Sequence, residues 1–199
     1  MFVLLVLCTG AFALTAAAVV FFPTALAPLD TAAQEAVLPL QAPVPLQVFL
    51  ALTALGGGTG IIVLAIGFSV LTRLAPAQVL RLAFVLAAVA IACRVLKASV
   101  GRIRPETLSW FEPLPTLSFP SAHAASALAL GGFIALYLSS RGRSGAAWLV
   151  LAVAVLVGMS RVVLSAHYAT DVLGGFLLAG IMLALGFLVP FERMLKGYG

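Results

Sequence analysis

Six apolar stretches, each about the length that crosses a bilayer, constrain this chain more than any other feature. They cover roughly residues 2–22, 48–72, 78–97, 121–139, 146–163 and 171–190. As a helix, about 20 apolar residues span the ~30 Å hydrocarbon core. Of 199 residues, 63% are hydrophobic and 9% charged, more apolar surface than a soluble domain of this size needs. In lipid every backbone N–H and C=O must be paired within the protein, so only helices and closed barrels cross it. The runs are rich in Leu, Ala and Val and lack strand alternation. The sequence therefore predicts an all-α, polytopic integral membrane protein, a six-transmembrane-helix bundle forming one domain over residues 1–199. The net charge of +5 reports loop charge and an anionic ligand rather than nucleic acid, because no basic soluble face exists to bind one. Cys8 and Cys93 fall inside apolar runs, and no CxxC occurs. They read as packing residues rather than a disulfide, a metal site or a redox pair.

The first run, from Phe2, has no basic residues before it and reads as a span rather than a cleaved signal. Residues 23–47 carry five prolines, which exclude one long helix; Leu29 to Leu38 fits a short helix on the membrane surface. The glycines 56–58 suit either a close backbone approach or a loosened helix start. Six spans put both termini on one side, together with Arg73, Arg81, Arg141, Arg143, Arg193 and Lys196. The positive-inside rule makes that side the cytoplasm. The opposite face collects residues 23–47, 98–119 and 163–170, with Asp30, Glu35, Glu106, Glu112, Trp110 and Asp171. It also collects five cations that run against the rule: Arg94, Lys97, Arg102, Arg104 and Arg161. Ionisable groups near a span are costly and are functional candidates, although Arg94 and Lys97 taken singly also fit snorkelling to the interface.

Three segments converge on that face. In the first, Lys97 and Arg104 are seven apart and share a face if the helix continues, before Pro105 turns the chain away. Two such cations suit an anion with several oxygens. In the second, Phe119-Pro120-Ser121-Ala122-His123 opens a span. Ser121 is placed as an N-cap, and the helix start offers backbone N–H groups to a phosphate, with His123 just inside. In the third, Arg161, His167 and Asp171 lie together. If the stretch is helical, His167 and Asp171 stack one above the other, and a carboxylate beside an imidazole prepares a nucleophile or base. Each segment alone has an ordinary structural explanation. Together, several cations, a helix N-terminus and two histidines fit phosphoryl transfer, with one His attacking phosphorus and the other protonating the leaving oxygen. A zinc or magnesium site fits worse, because its ligands would lie amid surplus positive charge.

These segments resemble the signature of the type 2 phosphatidic acid phosphatase (PAP2) superfamily: K-x6-R-P, P-S-G-H and S-R-x5-H-x3-D. Here they read Lys97…Arg104-Pro105, Pro120-Ser121-Ala122-His123 and Ser160-Arg161…His167…Asp171, with Ala122 where the family usually has Gly. The resemblance implies that His167 is the nucleophile forming a phosphohistidine, Asp171 its orienting carboxylate and His123 the general acid. Lys97, Arg104, Ser121, Arg161 and the Ala122 N–H would hold the phosphate oxygens. No metal or other cofactor is implied. If the family glycine serves a positive φ, Ala122 strains the loop; if it serves only its N–H, Ala122 costs little and activity is retained, which is the reading adopted here. The function implied is an integral-membrane lipid phosphatase. Its partners are the bilayer and a lipid phosphate: undecaprenyl pyrophosphate, phosphatidylglycerol phosphate or phosphatidic acid. Arg94 and Arg102 as extra cations would favour the pyrophosphate. A lipid phosphotransferase with the same intermediate and a non-catalytic lipid-phosphate carrier are the alternatives. The expected setting is the inner membrane, with the site on the periplasmic or extracellular face.

Overall fold

The computed structural model describes residues 1–105 and 117–196. Among these residues the regular secondary structure is all helical, and the one β-type contact is an isolated antiparallel bridge between Ile103 and Leu117. The helices are α1 (Phe2–Phe21), α2 (Pro23–Val37), α3 (Pro43–Gly56), α4 (Gly58–Thr72), α5 (Pro76–Val100), α6 (Ala122–Ser140), α7 (Ser144–Val163), α8 (Ala169–Leu188) and the short α9 (Phe191–Lys196). Glu106, Trp110 and Glu112, placed on the outer face from sequence, lie outside the described residues.

Proline starts several of these helices and glycine ends one. Pro23, Pro43 and Pro76 occupy first-turn positions, where a missing N–H costs nothing. Gly101, at φ 67°, terminates α5 in the left-handed region that glycine adopts freely. Among the described residues, five helices are long and apolar enough to cross a membrane: α1, α5, α6, α7 and α8 with its extension to Arg193. Their bounds lie within a few residues of the sequence expectation.

The second predicted span, 48–72, differs. It starts earlier, at Pro43, and is split at Gly57 into α3 and α4. α4 alone rises only ~22 Å at 1.5 Å per residue, short of the hydrocarbon core. α3 and α4 line one groove with α7, from Leu55 to Leu71 on one side and from Val157 to Leu149 on the other. The surface helix expected at Leu29–Leu38 is also longer. α2 begins at Pro23 and continues through Pro28, which lies inside the helix and removes one ladder bond. A turn of 3-10 helix (Leu38–Gln41) follows, and the chain bends by 112° into α3.

α6 is the centre of the bundle and packs most extensively against α7 and α8. It does so through small residues, as helices in lipid do. Ala124, Ala125 and Ala129 are fully buried, and Gly131 and Gly132 face Ala154 and Leu183. Near the start of α6, Gly175 of α8 lies against the Ser121 carbonyl; a Cβ there would be 2.5 Å from that oxygen. Large apolar side chains such as Phe2, Leu14, Leu71 and Trp148 are exposed, as expected of a lipid-facing surface. At the opposite end, Arg81 of α5 donates to the Gly186 carbonyl (3.0 Å) and pairs with Glu192 (2.8 Å), so the 73–81 turn and the C-terminal tail share one side.

Candidate active site

Five helix ends and one loop meet at the other side. They are the C-termini of α3, α5 and α7, the N-termini of α6 and α8, and the extended segment 101–105. Two reasons given for convergence in sequence are replaced by others. Lys97 and Arg104 do not share a helical face, because α5 stops at Val100 and Arg104 lies beyond the Gly101 cap. His167 and Asp171 are not on one helix either. α7 ends at Val163, Ser165 takes a left-handed φ of 49°, and α8 starts at Ala169. His167 therefore precedes the N-cap Tyr168, while Asp171 is the third residue of α8. Its Oδ2 accepts from the Tyr168 N–H at 3.0 Å, satisfying a free donor of the helix start. The i, i+4 pair still meets, Nδ1 of His167 lying 3.4 Å from Asp171 Oδ2.

His167 is buried, and its tautomer follows from its neighbours. Arg104 Nη1 donates to the Ala166 carbonyl (2.7 Å) and lies 3.2 Å from His167 Nε2. A guanidinium only donates, so Nε2 is the acceptor and Nδ1 carries the proton toward Asp171. Burial pushes His167 down to about 4, and the hydrogen bond from Asp171 opposes this only in part. At neutral pH the ring is thus uncharged, with its lone pair on Nε2. Asp171 in turn is fixed on both oxygens. Oδ2 also accepts from Ser118 Oγ in a short contact, and Oδ1 accepts from Arg102 Nη1 at 2.8 Å.

The other predicted residues gather around this pair. Lys97 Nζ donates to the Leu117 (2.7 Å) and Ser118 (3.0 Å) carbonyls, leaving one of its three N–H groups for a ligand. Arg161 Nη1 donates to Thr53 Oγ1 of α3 at 2.5 Å. Ser121 occupies the N-cap position of α6, but its hydroxyl makes no capping bond, contrary to the expected role. It is buried and has no hydrogen-bond partner among the described residues, as is true of Arg104 Nε and Arg161 Nε. Ala122 is the first residue of α6 and is not among the positive-φ residues, so the strain considered for it does not arise.

His123 sits against the α3–α4 break. A Cβ on Gly57 would be 3.6 Å from its Nε2, and one on Gly56 would be 3.3 Å from its carbonyl. The glycines thus serve a close backbone approach. Arg161, Arg104, Lys97 and the His167 ring all lie close enough to His123 to act on it electrostatically. A cavity of ≈ 240 Å³ opens beside it, lined by Gly56, Cys93, Arg94, Lys97 and Ala122. A larger, almost wholly apolar groove of ≈ 630 Å³ runs down between α4, α6 and α7 from Leu55, Ala127 and Val157 to Leu71 and Leu149. Among the described residues, no three His, Cys, Asp or Glu side chains gather as a metal would require.

Arg102 was read from sequence as a spare cation, but it is committed elsewhere. Its guanidinium pairs with Asp171 (2.8 Å) and with Asp30 of α2 (2.6 Å), and it stacks 4.1 Å from the Tyr168 ring centre. Sequence reasoning missed Ser118, Asp30, Thr170, Thr53 and Gln41. Ser118 and Thr170 carried a signal, the first lying two residues before the proline of the second segment and the second lying inside the third segment; Asp30 was placed on this face without a role, and Thr53 and Gln41 are distant in sequence from any motif.

A family model described as the PAP2 superfamily matches residues 78–195. Phosphatidylglycerophosphatase B of Bacillus subtilis (strain 168) is 38% identical over 115 residues, 53% of each chain, so the chain spans about half the length of that curated relative. Among solved structures, the transmembrane PAP2-type phosphatidylglycerolphosphate phosphatase from Bacillus subtilis is similar with a TM-score of 0.80 and 27% identity. The likeness covers 95% of this chain and 96% of that one. Aquifex aeolicus LpxE shares the fold at a TM-score of 0.64 and 21% identity, over 78% of this chain and 93% of that one.

Proposed function

The chain belongs to the PAP2 superfamily, and on that premise we propose that it is a membrane lipid phosphatase working through a phosphohistidine on His167. One observation carries the reading. Three of the four buried side-chain polar atoms without a partner among the described residues are Arg104 Nε, Arg161 Nε and Ser121 Oγ. All three belong to residues whose sequence pattern suits phosphate binding. An unsatisfied buried polar group costs about 1–3 kcal/mol, so three at one site are best explained by an anion that engages them.

The chemistry then runs on this chain's own groups. The Nε2 lone pair of His167 attacks phosphorus in line. The P–O bond to the lipid breaks, and the leaving oxygen takes a proton from His123. Asp171 stabilises the charge appearing on the ring. His123, now neutral, takes a proton from water as that water attacks phosphorus, and the P–N bond breaks to release phosphate and restore His167. The cations and the α6 N-terminus stabilise the equatorial oxygens, so turnover needs no divalent metal. The apolar groove beneath His123 supplies room for an acyl chain. With Arg102 engaged by two carboxylates, the argument for a pyrophosphate loses one of its two cations. A phosphomonoester headgroup suits the remaining cations better. Phosphatidylglycerol phosphate, the class named for the Bacillus relative, is the first such substrate to try. The site would face the periplasm or exterior of an inner membrane, with both termini in the cytoplasm.

The test is phosphate release by detergent-purified protein from phosphatidylglycerol phosphate, phosphatidic acid and undecaprenyl pyrophosphate, with a chelator present. Release that survives the chelator and disappears in His167→Ala is expected. A folded wild type that releases phosphate from none of the three would overturn the enzyme reading in favour of a carrier.

A further inference from the structure

Among the described residues outside the motifs, one buried charged cluster touches the site without touching the phosphate cradle. Asp30, on α2, is 2% exposed. Its Oδ1 accepts from the Thr170 N–H (3.0 Å), and its Oδ2 accepts from Thr170 Oγ1 (2.8 Å) and Arg102 Nη2 (2.6 Å). Arg102 Nη1 reaches past to Thr170 Oγ1 (2.7 Å) and Asp171 Oδ1 (2.8 Å). One guanidinium thus bridges two buried carboxylates, and its plane is held by the Tyr168 ring. α2 and the turn after it grip the same loop a second time. Gln41 Nε2 donates to the Val163 carbonyl (2.9 Å) and lies 3.2 Å from Ser165 Oγ.

We propose that Asp30 and Arg102 are positioning residues for the reaction: Asp30 orients Arg102, which holds the Asp171 carboxylate in the plane that presents Oδ2 to His167 Nδ1. A carboxylate on a short side chain turns readily about its last bond. Oδ2 already accepts from Ser118 and Tyr168 on one side, and the anchor on Oδ1 is Arg102. Without that anchor the carboxylate can swing, and the 3.4 Å approach to Nδ1 is lost. An arginine suits this place because its planar fork spans two acceptors, which a lysine ammonium does less well. Burial makes the arrangement rigid, since neither carboxylate has solvent to replace the guanidinium. Asp30 makes none of the contacts that would hold a phosphate oxygen, so its influence is indirect.

The proposal rests on the phosphatase reading above, and the experiment separates the two. In the full-length protein, Asp30→Asn, Arg102→Gln, Arg102→Lys and the double variant Asp30→Asn/Arg102→Gln are assayed for kcat and KM on a short-chain phosphatidic acid. Inhibition by orthovanadate reports on the phosphate cradle, and thermal unfolding reports on the fold. The expected result is a fall in kcat of about ten- to hundredfold in Arg102→Gln, the size found for outer groups that orient a reacting centre. KM and vanadate inhibition should stay within about twofold, and Arg102→Lys should recover part of the rate. The double variant should be no worse than Arg102→Gln alone, because both substitutions break one chain of contacts. Asp30→Asn keeps the side-chain volume and decides the matter if Arg102→Gln does not fold. Unchanged kcat, a rise in KM alone, or loss of folding in both single variants would overturn the proposal. A wild type that turns over no phospholipid would instead remove the phosphatase reading itself.

Discussion

His167 keeps its lone pair at Nε2, because Arg104 can only donate to that nitrogen and Asp171 holds the opposite one. On the proposed mechanism, that arrangement fixes how the attack step responds to acid. Burial lowers the His167 pKa to about 4, so the neutral ring persists as pH falls through the ordinary histidine value and is lost only near the lowered one. Single-turnover phosphorylation of the protein is expected to show no loss assignable to His167 between pH 7 and 5; a decline centred near 6.5 would mean that the ring is solvated. Asp171→Asn should lower kcat by roughly 10²–10⁴, since an amide no longer selects the Nδ1–H tautomer. Ala122→Gly should leave kcat within about twofold and lower the unfolding temperature slightly, because Ala122 is already helical. Most of the site at this scale was legible in the sequence, since Lys97, Arg104, Ser121, His123, Arg161, His167 and Asp171 are costly polar residues at the edges of apolar runs. The double duty of Arg102 was not, because nothing in a linear pattern says which of several outer-face cations meets a distant carboxylate.

At the scale of helices, the site is assembled by close approaches rather than by regular faces. α8 can bring Asp171 to the start of α6 only because Gly175 lets the Ser121 carbonyl come near. The same contact aligns Ser121 N–H with the Asp171 carbonyl at 3.0 Å. Gly175→Ala should therefore displace the α6 start, costing about 1–3 kcal/mol and most of the activity. Gly10→Ala, with nothing within 4 Å of its Cβ, should lower neither; thermal unfolding and phosphate release measured together would show the contrast. The five unbroken spans were readable from apolar length alone. The split at Gly57 was not, because apolar composition continues across it, although three consecutive glycines marked the place. α2 was underestimated because its prolines were counted as breakers, whereas Pro23 takes the first turn and the helix carries Pro28 inside it at the loss of one ladder bond.

For the molecule as a whole, charge placement and connectivity agree on two distinct ends: one holds His167 and its neighbours, the other the Arg81–Glu192 pair. A reporter fused at the C-terminus should be active only in the cytoplasm, and one inserted near residue 42 only outside; the reverse pattern would invert the proposed sidedness. The link between α2 and α8 has a further consequence. Asp30 and Thr170 are 140 residues apart in sequence, and the stretch matched by the family model begins well after Asp30. A fragment cut at that boundary would keep every signature residue yet leave Arg102 with half its counter-charge and the loop that carries His167 without its brace from α2. Chimeras and minimal versions of such a protein would therefore have to inherit its first helices together with its motifs.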